Sequence, residues 1–482
     1  MATAVPKNEA SFTLAEVAAA TGGELRGDPG ARVLGVSSDT RTLTAGALFV
    51  ALRGDRFDGH DHLAAALAKG AAAALVEAGA RPVAGLPVVV VRDSVRALGA
   101  LGAAHLARAR ARRALPVIAI SGAVGKTTTK ELVAAALRAA YGDTLATVGN
   151  LNNLIGAPFT LLSLTDAHRA AVIECGSNAP GEIARIAALV SPDVALVTNA
   201  DAAHTELLGS IDAVAREEGS LFAFARAAVV GNADEPRSAS QMDRALADRA
   251  RWLFGASPDA HVALSSRALR SDGGAALTFT VHGSLSGVGA LSVETPLVGA
   301  AVATNIAAAL CAVAALGASA EQMTAAAAAI GAVGAVPGRL QPMALRGALV
   351  LDDTYNASPR AVRAALDAAR ELSAARGTRL LVALGDMLEL GGLAGEAHAE
   401  AARAALDAGA AVFIAAGPEM GAAAAALAGA AELSGAEVVT VDDAAAAGVA
   451  LAARVREGDV VLVKGSRGMR MERCVAALGD GE

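Results

Sequence analysis

Short apolar runs without polar interruption alternate along most of this chain with segments of helical period. From Leu115 onward the runs read "PVIAI", "AAVIECG", "DVALVTN" and "AAVVGN". Strands that are apolar at every position, separated by helices, predict a parallel sheet covered on both faces. Upstream, "TLAEVAAATGG" sets Thr13 and Glu16 in capping-box spacing before an apolar helix stopped by Gly22 and Gly23. The strands "ALFVAL" and "PVVVV" follow, with a helix between them, and then the Arg-rich helix "RALGALGAAHLARARARR". Residues 255–295 change period: "ALTFTVHG" and "GALSVET" alternate around Gly and Ser, predicting a hairpin inserted late in the second unit. The Gly/Pro-rich "GAVGAVPGRLQPM" predicts a linker, after which "ALVLDD", "RLLVALGD", "AVFIAAG", "EVVTVDD" and "DVVLVKG" are again buried-strand runs between helices. No short-period repeat is present. The expected fold is α/β in three α/β domains, 1–113, 114–335 and 336–482, with a phosphate-loop-type parallel sheet in the centre and a Rossmann-like C-terminal unit.

Composition adjusts this picture in few places. A chain of 482 residues is too long for one ordinary core. Hydrophobic residues make up 54% but aromatics only 2%, so alanine carries the excess, and no run has the Leu/Ile/Phe content of a membrane span. The start, "MATAVPKNEA", lacks the apolar core of a signal peptide. Cys175, Cys311 and Cys474 lie far apart without paired spacing, which fits a reducing cytoplasm and argues against a disulfide frame or zinc site. A net charge of −7 and the lack of a basic stripe interleaved with aromatics argue against nucleic acid as a partner.

The candidate chemistry begins at "SGAVGKTTTK", residues 121–130, between a strand and a helix. Free N–H groups and the helix dipole converge on an anion at such a junction. Gly122 and Gly125 let backbone approach, Lys126 supplies positive charge, and the Thr127 hydroxyl is suited to Mg²⁺ held by ATP phosphates. The usual loop has four residues between its first Gly and the Gly-Lys pair, so this one is short. Glu174 ends its strand and His204 follows another, and both are expected at the carboxyl edge of the same sheet, where ligands of such sheets bind. Taken singly, the Glu is as well read as a helix cap and the His as a surface residue; together with Thr127 they predict a Mg²⁺·ATP site. "TNAD", residues 198–201, resembles a guanine-reading motif, but Asn199 stands where lysine is needed.

These residues resemble the Mur ligase family of bacterial cell-wall enzymes, which has three domains and uses the short loop. The resemblance spans nearly the whole chain: "SSDTRTLTAGALFVALRGDRFDGHD", "GNLNNLIGAPFTLL", "TNADAAHTELLGS", "LDDTYNASP", "LGDMLELG" and "VKGSRGMRMERCV" all follow family patterns. The double-Asn stretch and "YNASP" point within the family to the ligase that adds a dipeptide. The resemblance implies a cytoplasmic, monomeric, ATP-dependent amide ligase of peptidoglycan precursor synthesis, with UDP-N-acetylmuramoyl-tripeptide and D-alanyl-D-alanine as substrates. It implies nucleotide contacts from Ser121, Gly122, Ala123, Val124, Gly125, Lys126, Thr127 and Thr128, with Lys126, Glu174 and His204 as the catalytic set. Thr127, Glu174 and His204 would hold Mg²⁺. Asn150, Asn152 and Asn153 would lie beside the tripeptide, and Ser37, Asp39 and Arg41 beside the UDP moiety. Arg339 would reach the ATP phosphates, Asp353 the ribose, Tyr355 and Asn356 the nucleotide or dipeptide, and Lys464, Ser466 and Arg467 the dipeptide.

The chain departs from the family in two places. Ala123 and Val124 replace small polar residues. Glu218, in "VAREEGSLF", stands where the family carries a lysine whose carbamate supports a second Mg²⁺. Two readings of Glu218 stay open: a permanent carboxylate standing in for the carbamate as metal ligand, or an ordinary solvated helix residue. Two other functions remain beside the ligase: a catalytically weakened binder of nucleotide or UDP-sugar, and a ligase of the same fold with another substrate, such as a folylpolyglutamate synthetase.

Overall fold

The computed structural model describes residues 5–479 apart from 55–56, 178, 202–207, 271, 283–287, 428 and 430–434. Its larger sheets number three among the described residues. The first has five strands in the order Glu24–Arg26, Val88–Val91, Ala73–Glu77, Leu48–Val50 and Val36–Ser37, parallel except at the first pair. The expected capping box forms at Thr13 and Glu16, and Gly22 ends that helix in the left-handed region.

The central sheet has nine strands. Thr144–Ala146, Ala170–Glu174, Val117–Ser121, Val194–Val197, Ala228–Asn232, Ala250–Gly255 and Val262–Leu269 run parallel in that spatial order. Ala275–Val281 and Ala290–Thr295 complete the edge antiparallel. The alternating stretch forms the expected hairpin, but as a continuation of the central sheet and not a separate insertion. Its strands are half-buried on one face, which is why their period is two while that of the parallel strands is not. Helices Lys126–Tyr141 and Ala301–Ala315 share a core beneath the sheet, and the second is buried from Ile306 through Ala314. Here the alanine excess finds its use: small side chains let the buried helix lie close to its neighbours with few aromatics to accommodate.

A six-stranded sheet closes the chain, in the order Gln341–Leu345, Ala348–Asp353, Val460–Lys464, Leu380–Gly385, Ala410–Ala416 and Glu437–Val441, parallel except at its first pair. The Arg-rich helix Ser94–Arg112 is a brace. Arg110 reaches the Ser191 carbonyl at 2.7 Å and Asp193 at 2.9 Å, while Arg108 lies over Phe12 and donates to the Ser11 carbonyl. Between the central and last sheets Arg267 grips Glu371 with two bonds of 2.5 and 2.7 Å.

Candidate active site

Strand Val117–Ser121 lies between Ala170–Glu174 and Val194–Val197, with Ile120 in register with both Glu174 and Leu196. That register brings Ser121, Glu174 and the Thr198–Asn199 corner to one carboxyl edge. Gly125 turns the chain at φ 87° with no side-chain cap, and the helix starts at Lys126. Its first internal bond runs from the Thr129 amide to the Gly125 carbonyl, so the N–H groups of Gly125, Lys126, Thr127 and Thr128 have no partner within the helix. These four point from the helix start and are suited to an anion.

The three preceding N–H groups are spent inside the protein, which narrows the expected nucleotide grip. Gly122 donates to Glu218 Oε2 at 2.7 Å, Ala123 to the Asn199 carbonyl at 3.0 Å and Val124 to Asn199 Oδ1 at 2.9 Å. Ser121 is fully buried and its hydroxyl donates to the Glu218 carbonyl. Thr198 and Asn199 side chains both donate to the Val124 carbonyl at 2.8 Å. Asn199, which the sequence offered only as part of a mismatched guanine motif, is thus the residue that shapes the loop. Its signal was a bidentate amide one strand away, invisible to spacing.

Lys126 turns its ammonium back onto the Gly122 carbonyl, with Glu218 Oε1 at 4.0 Å. Thr127 Oγ1 donates to Glu174 Oε1 at 3.3 Å, and the same oxygen accepts from Asn152 Nδ2 at 2.7 Å. Glu174 Oε2 is buried with no hydrogen-bond partner among the described residues. An orphaned carboxylate oxygen beside a hydroxyl is a hard-oxygen donor set that fits Mg²⁺. His204 lies outside the described residues. Glu218 is 5% exposed, which overturns the reading of it as a solvated helix residue. One oxygen of its carboxylate accepts from the Gly122 amide, a structural role that the expectation of a metal ligand did not include.

From the last sheet, Arg339 stacks on Tyr355 at 4.2 Å and donates from Nη2 to Thr127 Oγ1 at 3.1 Å. Asp353 and Lys464, expected at ribose and dipeptide respectively, are paired with each other at 2.6 Å, and Lys464 also donates to the Asn356 carbonyl. The Leu340 amide also donates to Asp353, so the two buried charges offset each other's desolvation with backbone help, and both still line the smaller cavity. Burial pushes the Asp353 carboxyl up against the opposing pull of Lys464 and Arg339. Ser466 is buried at the wall of the larger cavity, where its hydroxyl accepts from the Leu388 amide at 2.8 Å and donates to the Ala357 carbonyl, pinning a turn. Arg467 is exposed, 5.9 Å from the Tyr355 ring and 3.6 Å from Glu472.

Two cavities of about 720 and 360 Å³ meet here, and Thr127, Asn150, Arg339, Tyr355 and Asn356 line both. The smaller contains the loop, Glu174, Asn152, Asn153 and an apolar wall of Val302, Ala361 and Ala364. Asn153 holds the turn into helix Gly156–Leu162, its Oδ1 accepting from the Ile155 and Gly156 amides. Asn305, which the sequence reading missed, touches the loop where a Cβ on Gly125 would sit 2.8 Å from its Oδ1. His398 was missed too: it accepts from the Met387 amide at Nε2 and donates from Nδ1 to the Ala394 carbonyl, holding the turn whose Leu388 and Leu390 line the larger cavity. Ser37, Asp39 and Arg41 close on themselves, Arg41 binding Asp39 with two bonds, and none lines either cavity.

Comparison with known proteins gives the same outline. Family models match residues 120–313 (Mur ligase middle domain), 338–467 (Mur ligase, glutamate ligase domain) and 32–112 (Mur ligase family, catalytic domain). The chain is 39% identical over 408 residues to UDP-N-acetylmuramoyl-tripeptide--D-alanyl-D-alanine ligase of Escherichia coli, covering 83% of this chain and 84% of that one. Its Mycobacterium leprae counterpart is 35% identical, covering 93% and 94%. Among solved structures, MurF from Acinetobacter baumannii superposes with a TM-score of 0.84 at 28% identity over 97% and 98% of the two chains. MurF ligase from Thermotoga maritima in complex with ADP gives 0.76 at 26% identity, over 92% and 96%.

Proposed function

This chain belongs to the Mur ligase family, and we propose that it joins D-alanyl-D-alanine to UDP-N-acetylmuramoyl-tripeptide at the expense of ATP. In this reading residues 1–113 take the UDP-sugar end, 114–335 the ATP and 336–482 the second substrate. The observation that carries it is the convergence of the Gly125–Thr128 amides, Lys126 and Arg339 on one spot beside Glu174. The tripeptide carboxylate attacks the γ-phosphorus, ADP leaves and an acyl phosphate forms. The dipeptide amine then attacks the acyl carbon, and phosphate leaves from the tetrahedral intermediate as the amine gives up its proton.

An anion attacking a polyanion needs fixed positive charge along the line of transfer. The helix N-terminus and Lys126 hold the phosphates, Lys126 exchanging the Gly122 carbonyl for a phosphate oxygen. Arg339, kept flat by Tyr355, carries positive charge from the last sheet to the same place. Mg²⁺ supplies further charge neutralisation when bound, and Thr127 and Glu174 are the residues that would hold it, with His204 as the third expected ligand. Asn152 keeps Glu174 oriented. The apolar wall of Val302, Ala361 and Ala364 suits a purine base. Of the two departures behind the weakened-binder reading, Val124 and Glu218, Val124 shapes the loop through its backbone amide and carbonyl, which a change of side chain leaves in place. No described helix is long and apolar enough to cross a membrane, and phosphorylated water-soluble substrates suit a cytoplasmic monomer.

The test is ADP release by the purified protein. It should require both the tripeptide and D-alanyl-D-alanine, and folate with glutamate should not replace them. ADP release that ignores the dipeptide would refute the assignment.

A further inference from the structure

We propose that Glu218 is a positioning residue that sets the phosphate loop, acting through hydrogen-bond acceptance and not through metal ligation. The proposal rests on the reading of residues 121–128 as the ATP loop.

Helix Ile211–Gly219 presents two adjacent buried carboxylates. Glu217 accepts the Gly181 amide at 2.8 Å and the Ile183 amide at 2.9 Å, which satisfies the start of helix Glu182–Val190. Glu218 does the same for the loop: Oε2 accepts the Gly122 amide at 2.7 Å, and its backbone carbonyl accepts the Ser121 hydroxyl at 2.8 Å. Its other oxygen stands 4.0 Å from the Lys126 ammonium. A buried carboxylate needs donors to offset its desolvation, and amides at a helix or loop start supply them. Both glutamates therefore act as acceptors for a chain start, Glu217 with both oxygens and Glu218 with Oε2, its Oε1 facing only the Lys126 ammonium.

The opposite side of the loop is closed by Thr198. A Cβ on Gly122 would lie 2.1 Å from Thr198 Oγ1, and Gly122 itself sits at φ 132°, so the loop start has no room to move that way. With Asn199 holding Ala123 and Val124, every N–H before Gly125 is fixed from the sheet edge or from Glu218. The four free amides after it are thereby aimed before nucleotide arrives, which lowers the ordering cost of binding. Glu218 Oε1 also keeps a counter-charge near Lys126, leaving the ammonium at the mouth of the loop until phosphate displaces it.

The experiment compares wild type, Glu218→Gln and Glu218→Ala in ADP titration calorimetry, first with EDTA and then across a Mg²⁺ series, with turnover measured over the same series. A glutamine oxygen still accepts from Gly122, so Glu218→Gln should bind ADP within about threefold of wild type and need the same Mg²⁺ concentration for half-maximal turnover. Glu218→Ala should weaken ADP by about tenfold, about 1.4 kcal/mol, with and without the metal. Glu218→Gln matching the alanine variant, or needing several-fold more Mg²⁺, would overturn the proposal in favour of a metal ligand. Glu218→Ala binding ADP as tightly as wild type would overturn it as well. Should the alanine variant fail to fold, the glutamine variant decides alone by the same criteria. Wild-type protein that binds no ADP would remove the loop assignment itself, and the clamp with it.

Discussion

Arg339 and Thr127 stand 212 positions apart in sequence, yet the guanidinium of one donates to the hydroxyl of the other at 3.1 Å. This bond joins the segment entering the last sheet to the first turn of the loop helix. Removing the charge with Arg339→Ala should lower turnover by roughly 10²-fold or more. Arg339→Lys should rescue it poorly, because an ammonium does not stack flat on Tyr355 as a guanidinium does. Steady-state ADP release checks both.

Glu174 has one oxygen engaged by Asn152 and Thr127 and the other buried without a hydrogen-bond partner among the described residues. Glu174→Gln should raise the Mg²⁺ concentration for half-maximal turnover by about tenfold or more. ADP affinity in EDTA should stay near wild type, because the loop amides are untouched. Equal Mg²⁺ dependence in the two proteins would remove Glu174 from the metal site.

Asn199 satisfies both the amide and the carbonyl of Val124. Asn199→Ala leaves the Val124 amide without its acceptor, while Thr198 still serves the carbonyl, at a cost of about 1–3 kcal/mol, and loosens the loop. Urea melts should show the loss, and calorimetry should show weaker ADP binding. Asn199→Asp should restore only the amide contact.

Lys464 and Asp353 form a buried pair, 3% and 13% exposed at the side chain. Lys464→Met strands a buried carboxylate and should cost about 3–5 kcal/mol. The double variant Lys464→Met with Asp353→Asn should recover part of that. Denaturant midpoints for the three variants measure the coupling directly.

Glu371 is held below the usual carboxylate range by its two bonds to Arg267. A carboxylate with a depressed folded value stabilises at pH above its unfolded value, about 4.3, and loses that contribution as pH falls through the lower folded one. With Glu371 more than a third exposed at its side chain, solvent screening keeps the effect under about 1 kcal/mol. The difference in urea stability between wild type and Glu371→Gln should therefore be present at pH 7 and vanish below the carboxylate range.

Much of the architecture was legible in the pattern. Uninterrupted apolar runs such as "PVIAI" and "DVALVTN" can only be strands buried on both faces, and the Thr13–Glu16 box and Gly22 mark a helix because their side chains act on amides within four residues. The loop, Glu174 at its strand end and the late change to period two were equally local signals. The antiparallel strands were readable as strands, but their membership of the central sheet was not, since pairing depends on partners far along the chain.

What sequence alone determined here is the set of short-range matters: which segments bury both faces, where helices begin, and that an anion-gripping turn carries Lys126 and Thr127. Tertiary structure decided which groups remain available. It gave Gly122 to Glu218, Ala123 and Val124 to Asn199, and Lys464 to Asp353, and left Gly125 to Thr128 and one oxygen of Glu174 unclaimed within that frame. The reason is physical: a donor's or acceptor's partner is chosen by distance and burial in three dimensions, and those distances close only when strands remote in sequence come into register.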